Sequence, residues 1–132
     1  KSLSKIFNSI GCDQCHSGPQ FSDFELRNNG LFKIYPDSGL YQLTLNPDDI
    51  GKFKTASLRN LSFTAPYMFD GSLNTLDEVI AHYAEGGSHP INQSLEIRPF
   101  QITTQEKSDL KAFLRSLDDP NFITWCSTLS TP

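Results

Sequence analysis

Residues 11–16 read GCDQCH, so Cys12, Cys15 and His16 form a C-x-x-C-H motif. Two thiols at that spacing can add to the vinyl groups of a haem while the adjacent His reaches the iron from the same turn. A zinc half-site and a redox dithiol are the plainer alternatives. Zinc would need a further Cys or His pair, and Cys126, the third cysteine, is single and remote. A thioredoxin-type dithiol would have a strand before it and a helix after it. Here a helical pattern comes before and SGPQ after. A covalent haem with His16 on one face of the iron is therefore the expectation, and Cys126 is read as a bystander.

Four side chains could meet the opposite face: Met68, His82, Tyr83 and His89. Met68 lies in the loop TAPYMFDGS, and loop methionines ligate iron in small electron-transfer cytochromes. Packing beside the haem is its plainer role. The helical pattern after Thr75 turns about 100° per residue, which returns Tyr83 to within about 20° of Leu76 on the apolar stripe. His82 then points about 120° away, beside Glu78 and toward solvent. His89 follows Gly86-Gly87-Ser88 and precedes Pro90, an exposed setting. On these residues alone Tyr83 reads either as core packing or as a ligand, the first being the plainer.

Three helices must position these groups. Leu3, Ile6, Phe7 and Ile10 mark one face of a helix over 2–10 that Gly11 can end. Thr75 and Glu78 form a capping box for a second helix, with Leu76, Val79, Ile80 and Tyr83 inward and Gly86-Gly87 as its stop. Thr103 and Glu106 open a third, presenting Leu110, Phe113, Leu114 and Leu117. Between them, 17–58 is turn-rich, and the apolar pieces 31–35 and 40–45 are expected to pair as a hairpin. The fold class is mostly α, a cytochrome c-like helical domain around one covalent haem with a long irregular loop region. Residues 1–119 form the haem domain. Residues 120–132 are an irregular tail anchored on it by Phe122 and Trp125.

The chain has 132 residues, 37% of them apolar, with a net charge of −4, 8 Gly and 8 Pro. That suits one domain whose core a large apolar cofactor would help fill. Acidity argues against nucleic acid, whose phosphates demand clustered Lys and Arg. No apolar run approaches the roughly eighteen residues of a membrane span. Haem attachment to a Cys pair takes place outside the cytoplasm. The opening KSLSKIFNSIG shows no leader, so a cut product of a longer, periplasmic or otherwise extracytoplasmic protein is expected.

The stretches GCDQCHSGPQFSD, GKFKTASLRN, TAPYMFDGS and TTQEKSDLKAFLRSL together resemble the C-terminal haem domain of the bacterial di-haem cytochrome c peroxidase and MauG superfamily, over roughly residues 3–118. In that family the second ligand comes from the helix after the DGS turn, as Met in electron-storing peroxidases and Tyr in MauG-type proteins. The matching position is Tyr83, the residue the helical face also turns inward, which puts Tyr83 ahead of Met68 and His82. Relative to a thioether, a phenolate would stabilise ferric iron and lower the potential.

The resemblance implies a domain that takes electrons from a small redox donor protein. It would relay them to a catalytic haem in an N-terminal domain, where peroxide is reduced. This domain alone would not be catalytic. The alternatives are a self-sufficient mono-haem carrier with His16 and Met68 on the iron, and a domain whose haem is structural or senses a gas. In relatives a calcium ion bridges the two domains; here its ligands would fall on Thr64 and Pro66. Many relatives have His where this chain has Phe69, removing whatever hydrogen bond that His makes. Arg59 reads equally as a partner of a haem propionate or as a surface Arg. Lys52 and Lys54 read as solvated charge, with partner or propionate contact the sharper alternative.

Overall fold

In the computed structural model the described residues are 4–129. Leu3, and residues 130–132 of the tail, lie outside them, as does the side chain of Trp125. Among the described residues, five α-helices run in the order α1 (Ser4–Ser9), α2 (Tyr41–Thr44), α3 (Leu76–Glu85), α4 (Thr104–Arg115) and α5 (Phe122–Leu129). Short 3-10 turns at Cys12–Gln14, Pro47–Asp49 and Leu61–Phe63 and two two-residue strands complete the inventory.

Helices α1, α3 and α4 meet through Phe7, Ile80, Leu110 and Leu114, all buried, with Ile6, Ile10, Phe21, Leu58, Leu76 and Phe113 packed around them. The Phe7 ring lies 5.0 Å from that of Phe113 and edge-on to Phe21 at 6.3 Å. Both expected capping boxes form. Thr75 Oγ1 accepts from the Glu78 N–H at 3.2 Å, and Glu78 Oε2 accepts from the Thr75 N–H at 2.8 Å. Thr103 and Glu106 repeat the exchange at 3.2 and 2.9 Å. Helix α3 stops at Gly86, whose φ of +83° suits a residue without Cβ. Here a Cβ would also fall 2.9 Å from the Pro99 nitrogen, so the stop is fixed by packing as well as by conformation.

The expected hairpin of 31–35 with 40–45 does not form. No strand covers 31–35, and Tyr41–Thr44 is a helical turn closed by Leu45 in the left-handed region, φ +56°. Polar turn contacts win over a short apolar pattern here: Asp37 Oδ1 accepts from the Gly39 N–H, and Asn46 Oδ1 from the Asp48 N–H. The strands are instead β1 (Leu26–Arg27) and β2 (Phe53–Lys54), antiparallel, pairing Leu26 with Lys54 and Arg27 with Phe53. They tie together the two ends of the loop region.

The expected irregular tail is helical over Phe122–Leu129. Phe122 stacks on Phe63 at 5.9 Å, and the Asp119 N–H donates to Asn60 Oδ1 at 2.7 Å, so the tail begins against the body.

Candidate functional site

Gly11, with φ +82°, turns the chain out of α1 directly into the 3-10 turn that carries Cys12. The His16 N–H then donates to the Cys12 carbonyl at 2.9 Å, so Cys12, Cys15 and His16 share one helical turn. Neither thiol is in a disulfide. Cys12 packs against the core, and burial pushes its thiol up to about 12. The Cys15 thiol is raised too, again chiefly by burial. Both are therefore protonated at neutral pH. Among the described residues no three His, Cys, Asp or Glu side chains converge.

His16 is oriented by the loop that follows it. Backbone bonds from Phe21 to Gly18, Ser22 to Ser17 and Asp23 to Cys15 curl that loop back. The Phe21 carbonyl thereby comes 3.0 Å from His16 Nδ1. A carbonyl only accepts, so Nδ1 carries the proton and Nε2 keeps the lone pair. Burial lowers the His16 pKa, outweighing the Phe21 and Ala56 carbonyls that favour its cation, and the ring is neutral. Arg59 holds this loop: its Nε donates to the Pro19 carbonyl at 2.7 Å and its guanidinium lies 5.5 Å from the centre of the Phe21 ring. Ser57 adds a hydroxyl bond to the Gln20 carbonyl at 2.6 Å.

Three of the four candidates for the second ligand meet at one residue that sequence reasoning missed. Asn29 Nδ2 lies 3.3 Å from the Tyr83 hydroxyl and 3.5 Å from Met68 Sδ, while the Asn29 carbonyl accepts from His82 Nε2 at 3.0 Å. His82 is thus half-buried under the Asn29 loop rather than turned to solvent beside Glu78. Tyr83 is half-buried on the face of α3 that the apolar stripe indicated. Burial raises its phenol pKa; the Asn29 bond opposes that, and Cys12, Cys15 and Tyr35 add to it. Met68 takes the left-handed region at φ +74°. His89 is exposed and its backbone N–H donates to Gln93 Oε1.

Phe69, where the resemblance led to an expected His, joins an aromatic group. Its ring stacks on Phe53 at 3.8 Å and 6°, with Tyr35 and Phe32 at 6.1 and 6.2 Å. Lys52 pairs with Asp49 at 2.9 Å and Lys54 lies over the Phe24 ring at 4.7 Å, so both cations already have local partners. Thr64 and Pro66 are exposed in the loop before Met68.

The signal for the missed residues was the dipeptide Asn28-Asn29 before Gly30. Each side-chain oxygen accepts the backbone N–H two residues on, Gly30 at 2.9 Å and Leu31 at 3.2 Å. These successive Asx turns aim the amides inward. Asn28 is fully buried and bonds Ile50, Asn92 and Tyr35, fixing the loop on which Asn29 rides.

Helices packed around a C-x-x-C-H turn agree with a cytochrome c-like architecture, and comparison with known proteins gives the family. No protein-family profile matches the chain. Cytochrome-c peroxidase IdrP1 from Denitromonas iodatirespirans is 37% identical over 137 aligned positions, covering 81% of this chain and 36% of that protein. Methylamine utilization protein MauG from Methylorubrum extorquens is 39% identical over 119, covering 86% of this chain and 33% of that one. The crystal structure of a MauG-like protein associated with microbial copper homeostasis superposes with a TM-score of 0.87 at 35% identity, over 92% of this chain and 47% of that one. The chain belongs to the superfamily of bacterial di-haem cytochrome c peroxidases and MauG proteins. It spans about a third of the length of the curated relatives it matches.

Proposed function

We propose that this chain is the C-terminal haem domain of a cytochrome c peroxidase or MauG-like oxidoreductase, and that it relays single electrons to a catalytic haem in an N-terminal domain. The residues fit a covalent haem c. Cys12 and Cys15 offer two protonated, unpaired thiols on one turn for the thioether bonds. His16 offers Nε2 as the proximal ligand, and Tyr83 offers its oxygen as the distal one, with Met68 as the alternative. The bound group would supply a one-electron ferric/ferrous couple.

One observation carries the reading: His16 Nδ1 is committed to the Phe21 carbonyl, fixing ring and tautomer for a metal on Nε2. With Tyr83 in the sixth position no open site remains beside an acid–base pair, so this domain by itself stores and passes charge. Arg59 keeps its two terminal guanidinium nitrogens for a propionate while its Nε holds the loop. The electron donor would be a small redox protein, thioether formation would take place in the periplasm or otherwise outside the cytoplasm, and Thr64 and Pro66 would serve a calcium ion between the domains. The stand-alone mono-haem carrier draws no support from the peroxidase and MauG relatives.

Intact mass after co-expression with the haem attachment machinery tests the central step. The native chain should gain the mass of one haem, and Cys12→Ser with Cys15→Ser should gain none. A native chain that stays at its polypeptide mass, beside a control cytochrome that is loaded, would refute the reading.

A further inference from the structure

The Asn29 side chain has a defined orientation that does not depend on seeing hydrogens. The Leu31 N–H donates to the Tyr35 hydroxyl at 2.9 Å and also points at Asn29 Oδ1, 3.2 Å away; an amide nitrogen in that place would set donor against donor, so the nitrogen is on the other side. That nitrogen faces Tyr83 Oη at 3.3 Å and Met68 Sδ at 3.5 Å. The loop cannot easily rotate it away, because the Asn29 carbonyl is held by His82 on α3 and Asn28 beside it is fully buried. Both partners of the amide are the two candidates for the iron's sixth position, and its N–H groups reach one as readily as the other.

We propose that Asn29 is a positioning residue for the distal ligand, donating a hydrogen bond to the Tyr83 oxygen on the iron and thereby setting the haem potential. This rests on Tyr83 being that ligand. A donor on a ligating phenolate draws electron density from the oxygen and weakens its donation to ferric iron. The potential is then higher than the bare phenolate would give, and the phenolate-to-iron charge-transfer band lies at shorter wavelength. Asn29 thus offsets part of the ferric bias that a Tyr ligand imposes, which suits a domain that must both take and release electrons.

The test uses the haem-loaded protein and three substitutions. Asn29→Leu removes the donor at similar volume. Asn29→Asp keeps an oxygen for the Leu31 N–H, so the turn survives, but replaces the donor by an acceptor. Both should lower the midpoint potential and move the charge-transfer band to longer wavelength, Asp further than Leu. Tyr83→Phe should abolish the band. If Tyr83→Phe abolishes it while both Asn29 variants leave band and potential where they were, the role of Asn29 is refuted and the ligand stands. If the Asn29 variants lose the band and their potential rises, Asn29 instead keeps Met68 off the iron, and the proposal is again refuted. If Tyr83→Phe changes nothing, the ligand assignment falls and the inference with it.

Discussion

Helices α1, α3 and α4 are held by apolar faces, whereas 17–58, apart from the rings of Phe32, Tyr35 and Phe53, is held by side-chain amides and hydroxyls bonded to backbone. The helical side contributes Phe7, Ile80, Leu110 and Leu114 to the core. The loop side buries Leu31 and two polar residues, Ser22 and Asn28, and leaves Ile34, Leu43 and Leu45 exposed. Its contacts are long-range: Ser22 Oγ to the Thr55 carbonyl, Asn28 Nδ2 to the Ile50 carbonyl, Asn92 to Asp48. The helices present Tyr83 and the cysteine turn, and the loop supplies the groups that orient them, the Phe21 carbonyl and the Asn29 amide. A scaffold can rely on non-directional burial, but fixing a ring tautomer or an oxygen's partner needs directional bonds.

Phe7→Ala should have the largest effect, about 3–5 kcal/mol for a buried aromatic at the centre of the helical packing. Thermal or denaturant unfolding would measure it. Hydrogen exchange should show amides of α1 and α4 losing protection together. Asn28→Ala comes next, at about 2–3 kcal/mol, because the Gly30 N–H and the Tyr35 hydroxyl lose a buried acceptor. Protection should fall first over 28–35 and 48–52, with α4 little changed. Equal loss in α4 would break the division drawn between the two regions.

Thr103→Ala should cost about 1 kcal/mol through the cap of α4. Glu106→Ala, in the same box, should then add little on top, which a double-mutant cycle would check. The smallest effect is acid-dependent. The Arg27 side-chain bond holds the Asp23 carboxyl down at about 2, from 3.8 for the free group. A depressed carboxyl stabilises the fold above pH about 4, and that contribution is lost as the pH falls toward 2. The pair is partly exposed, so screening keeps it to roughly 1 kcal/mol or less. Arg27→Gln should flatten stability over that window and leave it unchanged in slope at pH 5–7.

The helices were legible because their signals are local. Periodicity and two S/T-x-x-E boxes fix α3 and α4, and the stripe places Tyr83 on its inner face. The loop was not, since its order comes from partners tens of residues apart. Nothing near Asn28 in the chain announces Ile50 or Asn92. The hairpin failed for a different, local reason: Asp37 and Asn46 each close a turn on the backbone N–H two residues on, beside apolar runs too short to pair. His82 was turned outward by helical geometry alone, and only the Asn29 loop folding over it corrects that. C-x-x-C-H marks the proposed anchor, yet the carbonyl that sets the His16 tautomer comes from Phe21, in a loop clamped by Ser57 and Arg59.

Resonance Raman spectroscopy of the haem-loaded ferric protein, excited in the charge-transfer band, tests the central claim most directly. The account predicts enhanced phenolate ring modes in the native protein and their disappearance in Tyr83→Phe. Spectra without such modes, or modes that survive Tyr83→Phe, would contradict it.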